Sequence, residues 1–261
     1  MKSKPRGKPE DEIIKCLVRA SAHSGYGASA TFDDWLELVE AAIDMAPVHV
    51  QAFAETGEMA KDPPPVKTLW ERMRQRYHDL IPFADAFCVL LEGSVGDDGQ
   101  LTYRDVVGQV FMLFGHPNTW TGQFFTPFEI ARFMAMMTFG AEPATLVHQR
   151  LRDAIGKSPA ATAMLLAGLG LEGEAAQKWY FERVIPACLD HYEPVSINDP
   201  AVGSGVLLLA AASIFPRWMI TRGLVTFYGT DIDRTCVRMC RINCRLYGLR
   251  GAPVRLLKEA A

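Results

Sequence analysis

The run "NDPAVGSG", Asn198 to Gly205, sets an aspartate and two glycines between a short apolar segment and an apolar helix. Gly203 and Gly205 permit positive φ and close approach of the backbone to a ligand. A helix starting near Ser204 directs its unpaired N–H groups and the positive end of its dipole at the turn. That geometry suits a carboxylate or a phosphate. The pattern G-x-x-x-x-G-K-[ST] is absent, so phosphoryl transfer has no support, and Val206 to Leu208 supply no third glycine for G-x-G-x-x-G. Alone, the turn reads first as a tight strand-to-helix connection.

A second run changes that weighting. "YGTDID", Tyr228 to Asp233, ends the next strand on Asp231. In doubly wound nucleotide sites an acid at this point accepts hydrogen bonds from ribose hydroxyls. Ile232 is then placed to lie flat against a purine, and Asp233 reads as the N-cap of the following helix. A glycine turn followed by a correctly placed acid reads as a nucleoside-cofactor site. Upstream, "GQFFTPFE" opens another apolar helix. Thr126 with Glu129 fits a capping box, and Pro127 fits the first helical position. Neither explains Gln123, Phe124 and Phe125. Two aromatics outside a cap form a hydrophobic staple or a pocket wall, and the downstream runs favour the wall.

The elements that must position these residues come in two textures. Residues 13–118 read as an α-helical region. It contains "TFDDWLELVEAAIDM" with a T-x-x-D capping signature, then "VKTLWERMRQRYHDL", "PFADAFCVLLEGSV" and "LTYRDVVGQVFMLFG", with "KDPPPV" as a breaker. No strand-like alternation precedes about residue 190. Residues 119–261 form a second unit, with a helical insertion at about 140–192. There "PVSINDPAVGSGVLLLAAASIF" and "LVTFYGTDIDRTCVRMCRINCRLYGL" each read as strand, turn and helix, and "APVRLL" as a third strand. Strands alternating with helices predict an α/β fold with a parallel, doubly wound sheet.

Composition bounds the rest. The chain has 261 residues, 49% hydrophobic and 22% charged, enough for a sizeable core. No apolar run is long enough for a membrane span. The segment "MKSKPRGKPEDE", residues 1–12, lacks the apolar run of a signal peptide and reads as a disordered basic tail. With a net charge of −3, any nucleic-acid surface must be a local patch. The cysteines form no C-x-x-C pair, Cys188 and His191 read as an incidental C-x-x-H, and no metal site is expected. Unpaired cysteines with apolar flanks point to a reducing cytoplasm.

"DPAVGSG" and "YGTDID" resemble motifs of S-adenosylmethionine-dependent methyltransferases. "GQFFTP" ahead of them is similar to the opening motif of the N6-adenine DNA methylases, the type I modification-subunit group. "YRDVVGQVFM" looks like this group too. The resemblance covers about residues 100 to 250, and it rests on the order of the three motifs. It implies a partial Rossmann-like methyltransferase sheet preceded by an α-helical N-terminal region. It implies S-adenosylmethionine as cofactor, with Phe124, Thr126 and Pro127 at its methionine end. Asp199, Pro200, Gly203 and Gly205 would lie beneath it, Asp231 on the ribose and Ile232 on the adenine. DNA is the implied substrate, with a specificity or completing subunit as a further partner. The group often has a small residue where Val202 stands.

One departure bears on activity. N6-adenine methylases act on a flipped-out base, which they hold with an Asn/Asp-Pro-Pro-Tyr/Phe motif after the fourth strand. These 261 residues contain no such motif, so no catalytic residue is assigned. A sheet ending after three strands is also expected to leave the first strand as an exposed apolar edge. Three accounts stay open: a truncated chain, a partner that completes the sheet, or a non-catalytic relative covered by its own helical insertion. The expected function is therefore an adenine-N6 DNA methyltransferase or a truncated relative. The alternative is a non-catalytic cofactor- or DNA-binding subunit, and an RNA or protein methyltransferase is a third reading, since cofactor motifs alone do not name the acceptor.

In "RTCVRMCRINCRLYG", Arg234, Arg238, Arg241 and Arg245 fall within about 60° of one another on a helix, opposite Cys236, Cys240, Cys244 and Tyr247. This predicts a solvated arginine face over a cysteine core face, with a phosphate-binding stripe as the functional alternative. "RMRQRYH" reads the same way.

Overall fold

The computed structural model describes residues 7–22, 24–96, 99–114, 125–140, 142–249 and 254–257. Its first half is helical. Helix α1 (Pro9–Ser21) opens with a proline and with Glu10, Asp11 and Glu12 at the positive end of its dipole, and it buries Ile13, Leu17 and Ala20 at helical spacing. It thus begins inside the stretch expected to be a tail, because proline and three acids make a good helix start. Helix α2 (Ala28–Thr56) starts from Gly27, so the T-x-x-D pair expected to cap it lies within it. Asp34 instead accepts hydrogen bonds from the Tyr77 hydroxyl (2.7 Å) and Arg76 Nη1 (2.8 Å). Helix α3 (Pro64–Arg76) follows the proline breaker, and α4 (Ile81–Gly93) and α5 (Val106–Leu113) complete the region.

These helices share one core. Phe32, Trp35 and Leu36 of α2 meet Met73 of α3, Leu90 of α4 and Val110 of α5, all fully buried. Cys236, Met239 and Ile242, from a helix late in the chain, belong to the same cluster. The helical region and the later α/β elements are therefore packed together.

Helices α6 (Phe128–Phe139), α7 (Pro143–Lys157), α8 (Pro159–Ala167) and α9 (Gly173–Trp179) come next. The last runs through a π turn into α10 (Ile185–Cys188). Then follow β1 (Val195–Asp199), α11 (Val206–Ser213), α12 (Arg217–Thr221), β2 (Val225–Asp231), α13 (Arg234–Leu246) and β3 (Arg255–Leu256). The strands are parallel in the order β1-β2-β3, with Val195 opposite Val225 and Asp231 opposite Leu256. The molecule is thus mostly helical with a small parallel sheet.

Residue alternation decides how that sheet is covered. Val195, Ile197, Val225 and Phe227 form one core with Leu208, Ala211, Val237 and Cys240 of α11 and α13. Val147, Leu151, Ile185 and Cys188, from the helices before β1, join it. Arg150 ties α7 to the start of β1 through the carbonyls of Glu193 and Pro194, each at 2.9 Å. On the other face Ser196 and Asn198 are exposed, and Thr226, Tyr228 and Thr230 are half-buried. Among the described residues β1 pairs with β2 alone, so it is an edge, but not the apolar edge expected: its apolar side chains alternate inward and its outward ones are polar. No described helix is long and apolar enough to cross a membrane.

Candidate functional site

Parallel pairing brings the C-terminal ends of β1 and β2 side by side, so the turns after them emerge together. The Val202 amide donates to the Thr230 carbonyl (2.9 Å) and the Gly205 amide to the Val202 carbonyl (2.8 Å). The turn needs its glycines: Gly203 has φ +53° and Gly205 φ +92°. A Cβ on Gly203 would come within 3.0 Å of the Phe125 ring, and one on Gly205 within 2.8 Å of Cys240 Sγ.

The amide of Gly203 donates to Asp231 Oδ2 at 2.8 Å. The other oxygen, Oδ1, accepts the Asp233 amide at 2.9 Å. Each carboxylate oxygen keeps a second lone pair for a ligand. Ile232, next along the chain, is 72% exposed. Asp233 caps α13 by accepting the Thr235 amide at 2.8 Å, as its position predicts.

Asp199 closes β1. Its Oδ1 accepts the Ala201 amide at 3.0 Å, while Oδ2 is buried with no hydrogen-bond partner. Burial pushes its carboxyl above the usual aspartate range, and the neighbouring charge of Asp231 adds to the shift. Pro200 is exposed, and its carbonyl accepts the Thr230 hydroxyl at 3.1 Å.

Of the upstream run, Phe124 lies outside the described residues. Phe125 stacks on Phe111 of α5, with centroids 5.4 Å apart, and also reaches Gly203. The expected capping box does not form. Pro127 is extended (ψ 140°) and is itself the N-cap, so α6 starts at Phe128 with no side-chain cap bond. Thr126 falls one residue too early to cap, and it lines a cavity of ≈340 Å³ with Glu10, Asp105, Gln109, Phe125 and Val206.

That cavity holds residues the sequence reading missed. Glu10 of α1 is buried, and its Oε2 has no hydrogen-bond partner. Asp105 accepts the Gly108 amide at 2.8 Å to cap α5, a spacing legible in "YRDVVG". Asn243 also touches Asp105, and its signal was an amide on the buried cysteine side of α13. Glu10 carried no signal, because acids at a helix start ordinarily answer the dipole. Among the described residues no ion pair engages Glu10, Asp105, Asp199 or Asp231. Asp231 already occupies the Gly203 amide, and Asp199 and Asp105 lie near the turn, so its backbone is less open to an anion than its glycines suggest.

The arginine face of α13 is solvated in part: Arg234 and Arg245 are exposed, as expected, while Arg238 and Arg241 are half-buried. Arg238 and Arg245 pair with Glu40 at 3.2 Å, Arg245 also with Asp44 at 2.9 Å, and Arg241 donates to the Val254 carbonyl at 3.0 Å. Arg238 and Arg245 tie α13 to α2. Arg72 and Arg76 of "RMRQRYH" are likewise paired, with Glu37 (2.7 Å) and Asp34 (2.8 Å).

No curated protein and no solved structure matches the chain. Residues 180–258, the stretch from the π turn through β3 that contains both strand-end turns, match the family model described as N-6 DNA Methylase.

Proposed function

We propose that the chain binds S-adenosylmethionine across the ends of β1 and β2 and serves adenine-N6 methylation of DNA. The observation that carries this reading is the junction of Gly203 and Asp231, within the segment that matches the methylase family. The residues fit the cofactor. Asp231 has lone pairs for ribose hydroxyls, and the exposed Ile232 offers an apolar face to adenine. Asp199 carries a buried oxygen without a partner, and the acids around the turn suit a sulfonium. Phe125, Thr126 and Pro127 stand beside the turn for the methionine end, and the unpartnered Glu10 oxygen is an acceptor for its ammonium. When bound, the cofactor supplies an electrophilic methyl group. The protein's own residues would orient it.

Calorimetric titration of S-adenosylmethionine tests this reading, with Asp231→Ala as control. Binding by the native chain and its loss in the variant are expected, and no heat from folded native protein rejects it. Radiolabelled methyl transfer to unmethylated DNA tests the acceptor.

A second reading is a subunit that holds the cofactor while a partner strand completes the sheet. It is favoured by the pairing of β1 on one side alone among the described residues, next to which α6 exposes Ile130, Phe133, Met134 and Met137. A groove of ≈370 Å³ runs between this helix and residues 196–200, at the end of β1 and the start of the turn after it. Methyl incorporation by the chain alone would defeat this second reading.

A further inference from the structure

One buried carboxylate that lines the Thr126 cavity is hydrogen-bonded to the protein through both of its oxygens. Asp105 is 4% exposed, and no lysine or arginine among the described residues pairs with it. Its Oδ1 accepts the Gly108 amide (2.8 Å) and the Asn243 side-chain amide (2.9 Å). Its Oδ2 is hydrogen-bonded to the Ser204 hydroxyl. The Asn243 amide also donates to the Ser204 carbonyl at 2.8 Å. Three segments remote in sequence, at α5, the glycine turn and α13, therefore converge on one side chain.

The convergence has a steric signature. Gly108 packs directly beneath it, and a Cβ there would lie 2.6 Å from Ser204 Oγ and closer still to the Asp105 carboxylate. A larger residue there would have to displace the Asp105 carboxylate or the Ser204 hydroxyl. Burial pushes the Asp105 carboxyl above its usual range, against the effect of its three neutral donors. Such a group is unfavourable in a core unless a specific geometry depends on it.

That geometry is the turn. Ser204 lies between Gly203 and Gly205, the two residues of greatest backbone freedom, and the turn's own bond from the Gly205 amide to the Val202 carbonyl leaves the Ser204 hydroxyl and carbonyl to be held from outside the turn. With hydroxyl and carbonyl both held, Ser204 cannot rotate and Gly203 stays aimed at Asp231. We propose that Asp105 is a positioning residue, with Asn243 as its second arm, that clamps the glycine turn to the helical region and fixes the geometry in which the nucleoside is received. This rests on the cofactor reading for its consequence in binding, though not for its consequence in the turn.

The test uses the full chain and two readouts. Hydrogen exchange at the amides of residues 202–206 reports the turn directly, and calorimetric titration of S-adenosylmethionine reports its use. In Asp105→Ala, exchange across the turn rises at least tenfold while the α2–α4 core keeps its protection, and affinity falls at least tenfold. Asp105→Asn rescues both to within about threefold, because its oxygen still accepts from Gly108 and Asn243 and its amide donates to Ser204 Oγ. A merely space-filling role predicts no such rescue over an apolar isostere, so Asp105→Leu is the comparison. Unchanged turn exchange in Asp105→Ala, or rescue by Leu as good as by Asn, overturns the proposal. If Asp105→Ala fails to fold, Ser204→Ala removes one arm alone: faster turn exchange supports the clamp, and unchanged exchange overturns it. If the native chain binds no S-adenosylmethionine while the exchange results hold, the cofactor reading fails and the clamp stands.

Discussion

The Gly203 amide and Asp231 Oδ2 lie 2.8 Å apart, joining the turn after β1 to the end of β2. The bond spans two loops that parallel pairing had already brought to the same end of the sheet, so the carboxylate shapes the turn. Asp231→Ala leaves the Gly203 and Asp233 amides without their acceptor, at a cost of about 2 kcal/mol. Asp231→Asn keeps one oxygen and costs about half of that. Urea denaturation measures both, and calorimetry should show S-adenosylmethionine binding lost in Asp231→Ala. Native-like affinity in that variant would remove Asp231 from the site.

Asp105 gives stability a pH dependence of definite sign. Burial raises its folded pKa above the unfolded value near 3.8. The folded state then holds its proton more tightly than the unfolded chain, and stability falls as pH climbs from the unfolded value through the folded one. Asp105→Asn removes this ionisation. Relative to the native chain, the variant should gain stability as pH rises above about 4, with no gain below it. Paired urea titrations across that range decide the matter, and a gain that shrinks with rising pH contradicts the burial argument.

Much of the α/β part was legible because its local chemistry and its tertiary use agree. Gly203 and Gly205 both adopt positive φ, Asp233 caps α13, and Cys236 and Cys240 face inward as their spacing predicts. Legibility failed where a residue's partner lies far along the chain. Nothing local to α13 shows that Arg238 and Arg245 pair with Glu40 and Asp44 of α2. Thr31 and Asp34 look like a cap, but Asp34 is taken by Tyr77 and Arg76. At α6, one extended proline moved the helix start by a residue and removed the capping box. Glu10 was invisible for the same reason, since only packing of α1 against the cavity separates it from an ordinary first-turn acid.

Glu10 supplies a prediction that separates the two ends of the cofactor. Its Oε2 is buried and unpartnered in the cavity beside Thr126. If it receives the ammonium, Glu10→Gln loses a charge-assisted hydrogen bond of about 2 kcal/mol, or roughly thirtyfold in affinity. The loss should fall on S-adenosylmethionine and spare 5′-methylthioadenosine, which lacks the amino-acid tail. Equal weakening of both ligands in calorimetry, or of neither, excludes Glu10 as the acceptor.

Gly205 tests the contact between the turn and α13. Alanine there meets two penalties: φ +92° is strained for any side chain, and its Cβ would sit 2.8 Å from Cys240 Sγ. Together they should cost about 3 kcal/mol, and the strain alone about 2 kcal/mol. Cys240→Ala removes the sulfur and leaves a small cavity, worth about 1 kcal/mol by itself. In the double variant the collision is gone while the strain persists. The two substitutions should therefore be less damaging together than their sum by about 1 kcal/mol, a coupling that a double-mutant cycle in urea resolves. Strict additivity would mean that α13 shifts away at little cost, and that the turn is held by Ser204 and Asp231 rather than by its contact with Cys240.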